Sequence, residues 1–84
     1  MTLKAHGPIR NQLHRAALSI PLNLKEGYGR KTLADQQHFF TIAFGSIREC
    51  QALFDLLEPA PSAALSDKLD HLAAMVYKLS RWQP

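Results

Sequence analysis

Between Arg10 and Arg30 the chain reads RNQLHRAALSIPLNLKEGYGR, the pattern of a helix with a proline at its centre. An interior proline removes one backbone hydrogen bond, crowds the preceding turn and costs a helix about 3 kcal/mol. The apolar spacing is nonetheless helical. Ile9, Leu13, Ala16, Ala17, Ile20, Leu24 and Tyr28 form one stripe. Pro8 suits a first helical position, where its missing N–H costs nothing, so a helix is expected over about 9–28. Leu18 and Leu22 begin a second apolar strip. A helix with two apolar faces is central in a bundle or lies at an interface. Gly27 and Gly29 are expected to close it through a left-handed turn.

Two more helices are expected, over about 33–57 and 62–82, and no strand or internal repeat. Thr32 followed by Asp35 resembles a capping box. Phe40, Ala43, Phe44, Ile47, Cys50, Phe54 and Leu57 make one stripe of the second helix. Phe39, Ile42, Ser46, Glu49, Leu53 and Leu56 make another, in which Glu49 must find a partner or water. Pro59 and Pro61 stop this helix. Leu65, Leu69, Leu72, Val76 and Leu79 then form a near-heptad seam, with Met75 and Trp82 beside it. Asp67 and Asp70 near the start, and Lys78 and Arg81 near the end, suit the helix dipole. Short connections make neighbouring helices antiparallel. The expected fold is therefore all-α: one domain over residues 1–84, an antiparallel up-down bundle of three helices. Its surplus apolar surface calls for self-association.

Eighty-four residues make a domain that buries only about 60–65% of its unfolded surface and is marginal alone. The single cysteine excludes an intrachain disulfide and suits a reduced, cytoplasmic setting. The apolar runs are too short to span a bilayer, and Met1–Lys4 lacks the apolar core of a signal peptide. The formal net charge of +3 is uneven. Residues 1–48 carry seven Lys/Arg and two acids, whereas residues 49–84 carry three Lys/Arg and five acids. A basic half attracts nucleic acid or an acidic protein.

No residue pattern meets the requirements of a catalytic, cofactor or metal site. Gly27-Tyr28-Gly29 follows a helix rather than a strand and lacks the third glycine of a dinucleotide loop. His6, His14, His38 and His71 are scattered outside any metal pattern. Cys50 lies on an apolar stripe, and Ser19 and Ser46 sit mid-helix rather than on a strained elbow. The residues best placed to meet nucleic acid are Arg10, Arg15, Lys25, Arg30 and Lys31, as phosphate contacts without sequence choice. A second set is structural. Arg15, Ser19, Asn23 and Glu26 share one side of the first helix, and Ser46 and Glu49 share one side of the second. Facing each other, the two rows would let Asn23 and Ser46 serve backbone groups freed near Pro21. Arg15 would pair with Glu26 or Glu49, and Gly45 would let the helices approach closely. Loss of a buried Glu49 pair would cost about 3 kcal/mol.

The run from Gln12 to Arg30, with its S-I-P-x-N-x-x-E-G-x-G-R core, resembles the signature of the four-helix 23S rRNA intervening-sequence proteins. Phe39 to Glu49, FFTIAFGSIRE, resembles its continuation. His14 and Lys25 stand where the pattern has arginine and alanine. The resemblance implies a helical bundle that assembles as a ring-like homo-oligomer, with no established activity. It also implies a distant tie to the accessory proteins of diversity-generating retroelements, which makes RNA or a nucleic-acid enzyme the favoured partner. Members usually begin with a further helix of about twenty residues, which this chain is expected to lack. The vacated groove would then be shared between copies, as in a dimer. The expected function is a non-enzymatic oligomeric scaffold or adaptor that contacts RNA or a nucleic-acid-processing protein, with no membrane or small-molecule partner. The alternatives are a protein-binding module without nucleic acid, or a truncated member with no retained activity.

Overall fold

A computed structural model describes residues 3–84, with side chains from Gly7 onward. His6 lies outside the described side chains. Among the described residues all regular structure is helical: α1 (Leu3–Tyr28), α2 (Leu33–Phe54) and α3 (Ala63–Arg81).

α1 begins earlier than the position of Pro8 suggests, and both Pro8 and Pro21 lie inside it. Pro8 forfeits the bond to the carbonyl four residues back and crowds that turn, yet its fixed φ is helical and the helix runs through it. Its other end also departs from expectation. Gly27 is still helical and no glycine takes a positive φ. The last turn instead tightens, with the Gly29 amide donating to the Lys25 and Glu26 carbonyls and Arg30 to that of Gly27. α2 starts at Thr32, whose Oγ1 accepts from the Asp35 amide at 3.1 Å. It stops at Phe54 rather than Leu57, because Asp55, Leu56 and Leu57 each bond three residues back and wind the chain more tightly. Ser62 caps α3, its Oγ accepting from Leu65 at 3.1 Å.

Hydrophobic burial selects one face of each helix. Ala16 and Ile20 of α1, Ala43, Ile47 and Cys50 of α2, and Ala73 and Val76 of α3 form the core, flanked by Leu13, Leu24, Phe44, Leu69 and Leu72. α2 lies in the middle. α1 and α3 both pack on α2, and among the described residues no α-carbon of α1 comes within 8 Å of one in α3. The α-carbon envelope measures 48 × 21 × 13 Å, and the radius of gyration is 14.3 Å, against about 12 Å for a compact chain of this length. The helices therefore form a layer around one seam, with α1 and α3 apart. Leu18 and Leu22 stay 60% and 58% exposed, and Met75 62%. No helix among the described residues is long and apolar enough to cross a membrane.

Candidate functional site

The seam between α1 and α2 is held by polar groups at its wet edge and by a glycine at its tight end. Ser19 Oγ and Ser46 Oγ meet across it at 2.8 Å. Asn23 Nδ2 donates to the Ser19 carbonyl at 2.8 Å and to Ser19 Oγ at 2.9 Å, which fixes that hydroxyl toward α2. The carbonyl that Pro21 deprives of a partner is that of Ala17, four residues back. Asn23 therefore supports the neighbouring turn rather than the freed group. Farther along, Gln12 Nε2 donates to Glu49 Oε2. At the other end Gly27 is buried against Phe40. As α1 is followed from Gln12 through Ser19 to Gly27, its partners on α2 step back from Glu49 through Ser46 to Phe40.

Three expectations need correction here. Arg15 pairs with neither Glu26 nor Glu49. Glu26 instead holds Arg30 at 2.6 Å, one helical turn on, and Glu49 takes the Gln12 amide. Glu49 is exposed rather than buried, so its solvated carboxylate never pays the penalty of a buried ion. Gly45 points into open space, with nothing within 4 Å of its would-be Cβ, and the close approach belongs to Gly27.

The proposed phosphate-contacting residues Arg10, Arg15, Lys25, Arg30 and Lys31 are all exposed, and they fall into two groups. Lys25, Arg30 and Lys31 gather where α1 turns into α2. Arg10 and Arg15 lie back along α1, with Arg10 about 22 Å from Lys25 by helical rise. Arg30 is the most constrained. Its guanidinium is tied to Glu26 and sits 4.6 Å above the Phe39 ring, while Gln36 Nε2 holds its carbonyl at 3.0 Å. Of the α1 and turn cations, Arg30 alone forms an ion pair among the described residues.

The end of α3 joins this group. Gln37 Nε2, in the first turns of α2, donates to the Trp82 carbonyl, and Phe44 packs against Tyr77 with ring centroids 5.3 Å apart. Arg81 lies 4.8 Å over the Tyr77 ring. One end of the layer thus holds Lys25, Arg30, Lys31, Lys78 and Arg81 against Glu26 and Asp35, a net +3. The remaining five Lys/Arg are matched by five Asp/Glu.

At the opposite end a neutral glutamine links a cation to a carboxylate. There Arg48 Nη1 donates to Gln51 Oε1 at 3.0 Å, and Gln51 Nε2 donates to Asp70 Oδ1 at 2.8 Å. They border an open depression of about 490 Å³ shared with Asp55 and Ser66. Cys50 is buried in the core, and its thiol is pushed up first by that burial and then by the Glu49 carboxylate. That is the reverse of a nucleophile's setting. Among the described residues no three His, Cys, Asp or Glu side chains come together as metal ligands.

The sequence model of the 23S rRNA-intervening sequence protein matches residues 4–81. The chain belongs to that family. No curated protein and no solved structure matches it. In this member of the 23S rRNA-intervening sequence proteins, the residues that carry the family signature build the joint between α1 and α2. Ser19, Asn23 and Ser46 bond across or along it, Glu26 holds Arg30, and Gly27 admits Phe40. Sequence reasoning missed the contributions of Gln12, Gln37 and the α3 terminus. Lys78 and Arg81 had a sufficient local explanation in the helix dipole, and only the return of α3 along α2 brings them to the same end of the layer as Lys31.

Proposed function

We propose that this member of the family is a non-catalytic, self-associating scaffold of the cytoplasm that holds RNA through its basic end. The observation that carries the reading is the charge separation. Five cations collect at one end, and a single ion pair offsets them among the described residues. Such a patch raises the local concentration of a polyanion and binds it by releasing counterions. Arg10 and Arg15 extend the positive strip along α1.

The layer supports self-association. The chain exposes 5985 Å², whereas a compact monomer of 9.4 kDa exposes about 5,000 Å². The excess is comparable to the roughly 800 Å² that each partner contributes to a stable interface. The strips carrying Leu18 and Leu22 on α1 and Leu65 and Met75 on α3 are the apolar surfaces a second copy would cover in an up-down bundle.

Fluorescence anisotropy with labelled RNA, repeated across salt concentrations, tests the RNA contact. Affinity should fall steeply with salt, by about 0.7–0.9 in the logarithmic slope per phosphate contacted. Lys25→Glu with Lys31→Glu should weaken binding on every RNA tried, while Arg48→Glu at the other end should not. Absence of binding at low salt overturns the RNA reading and leaves a protein partner as the target of the basic end. A monomer by light scattering at micromolar concentration overturns the self-association.

A further inference from the structure

We propose that the basic end binds an unpaired RNA strand, with bases stacked on Tyr28 and Trp82 and phosphates held by Lys31, Lys78 and their neighbours. This rests on the RNA reading above and adds the form of RNA and the contact that selects it. Aromatic rings and free cations coincide here. Tyr28 is 66% exposed and Trp82 57%, although burial of large rings is among the most favourable contacts a small protein has. Both rings stand on anchored backbone. Tyr28 meets Phe40 edge to face with centroids 5.2 Å apart. Trp82 caps α3, and Gln37 pins its carbonyl, so the backbone is fixed while the indole faces outward. Lys78 precedes Trp82 by four residues and Lys31 follows Tyr28 by three, so each ring has a cation close to it along the chain.

A cationic surface carrying exposed rings is the arrangement that holds single strands, because every base has a face to stack and every nucleotide a phosphate to neutralise. Tyr28 and Trp82 stand on opposite flanks of α2, each about one helix spacing of 8–10 Å away from it, so the rings accommodate separate bases of one strand. A duplex hides its base faces and gains nothing from the rings. An acidic peptide satisfies the cations and leaves the rings unused.

Trp82 is the only tryptophan, so its fluorescence reports on this site alone. A single-stranded RNA of roughly 12 nucleotides, long enough to cross such a site, should quench it. The same sequence as a duplex should bind more weakly and leave the emission unchanged. Trp82→Leu and Tyr28→Leu should each lower single-strand affinity about fivefold or more while the chain stays folded, Trp82→Leu at unchanged melting temperature, and Trp82→Phe should recover part of the loss. The salt slope should persist in the ring variants and drop by about 0.7 for each charge removed in Lys31→Gln and Lys78→Gln.

Equal binding of the duplex, quenching by polyglutamate, or leucine variants that bind as the native chain does would each overturn the proposal. Salt-sensitive RNA binding that ignores the ring variants sinks this inference and leaves the RNA reading standing. A native chain that binds no RNA sinks both.

Discussion

Replacing Gly27 and Gly45 by alanine should shift stability in opposite directions, although both lie in helices and neither has a positive φ. A Cβ on Gly27 would stand 2.6 and 2.9 Å from Cε1 and Cδ1 of Phe40 and 3.2 Å from the Gln36 carbonyl oxygen. The ring cannot simply swing away, because Phe40 is 4% exposed and its other neighbour is Tyr28. Overpacking of this kind costs about 1–3 kcal/mol, and contacts to ring and backbone place it near the upper figure. Alanine's helix preference over glycine returns at most about 1 kcal/mol, and less in a last turn. The net loss is about 2 kcal/mol, a fall in Tm of roughly 8–16 °C for a chain of this size. Gly45 is exposed in mid-helix with nothing within 4 Å of its would-be Cβ, so only the propensity gain applies. Gly45→Ala should raise stability by about 1 kcal/mol. Circular dichroism melts of both variants decide the matter. The Gly27 loss should also shrink in a Phe40→Leu background, where the clash is relieved. A Gly27→Ala protein that melts at or above the native temperature would refute the close approach of α1 to α2.

Asn23→Ala, which removes both bonds to Ser19, should cost about 1 kcal/mol in a chemical denaturation series. Ser19→Ala and Ser46→Ala should be coupled, the double variant losing less than the two single losses together; strict additivity would mean the hydroxyls do not meet. Glu49→Ala should cost under about 1 kcal/mol, since the carboxylate is exposed and its Gln12 partner can turn to water. For Cys50 the folded state disfavours the thiolate. The thiol's contribution is intact below its unfolded pKa, about 8.5, and is lost as pH rises above it. Native Tm should therefore decline more steeply than that of Cys50→Ala in alkaline buffer, and equal slopes would contradict the burial.

Much of the helical layout was legible from local chemistry. Thr32 opens α2, the Pro59–Pro61 segment separates it from α3, and the stripe through Ala43, Ile47 and Cys50 is the one that is buried. Ser19 and Ser46 lie on facing rows because three-four spacing carries through any straight helix. The sequence reading assigned the close approach to Gly45 and helix closure to Gly27, whereas Gly27 is helical and makes the close approach and Gly45 faces open space. Periodicity shows that Gly27 and Gly45 both lie beside a packing face, but which one meets a neighbour depends on where the helices cross. Arg15 was paired on charge alone, whereas geometry gives Glu49 to Gln12 and Glu26 to Arg30, one turn away. The ends of α1 and α2 shifted for the same kind of reason. Pro8 disfavours the turn before it but does not forbid it, and a tightened last turn leaves no mark in the apolar pattern.

The split between signature and charge bears on what membership of the family can teach. Ser19, Asn23, Glu26, Gly27 and Ser46 carry the resemblance, and each has a mechanical task in joining α1 to α2. A match resting on them constrains how the first two helices cross and is silent on what the molecule holds. The basic end is assembled differently. Its cations come from the last turn of α1, the turn beyond it and the last two turns of α3, and no sequence segment contains it. In sequence, the first 48 residues hold the excess positive charge and the remainder is acidic. The return of α3 along α2 mixes the two, carrying Lys78 and Arg81 to the end of the layer where α1 turns into α2 and leaving Asp67 and Asp70 at the far end. Ligand preference should therefore follow substitutions at Tyr28, Lys31, Lys78 and Trp82, none of which belongs to the joint's hydrogen-bonded core. Stability should follow the signature residues instead.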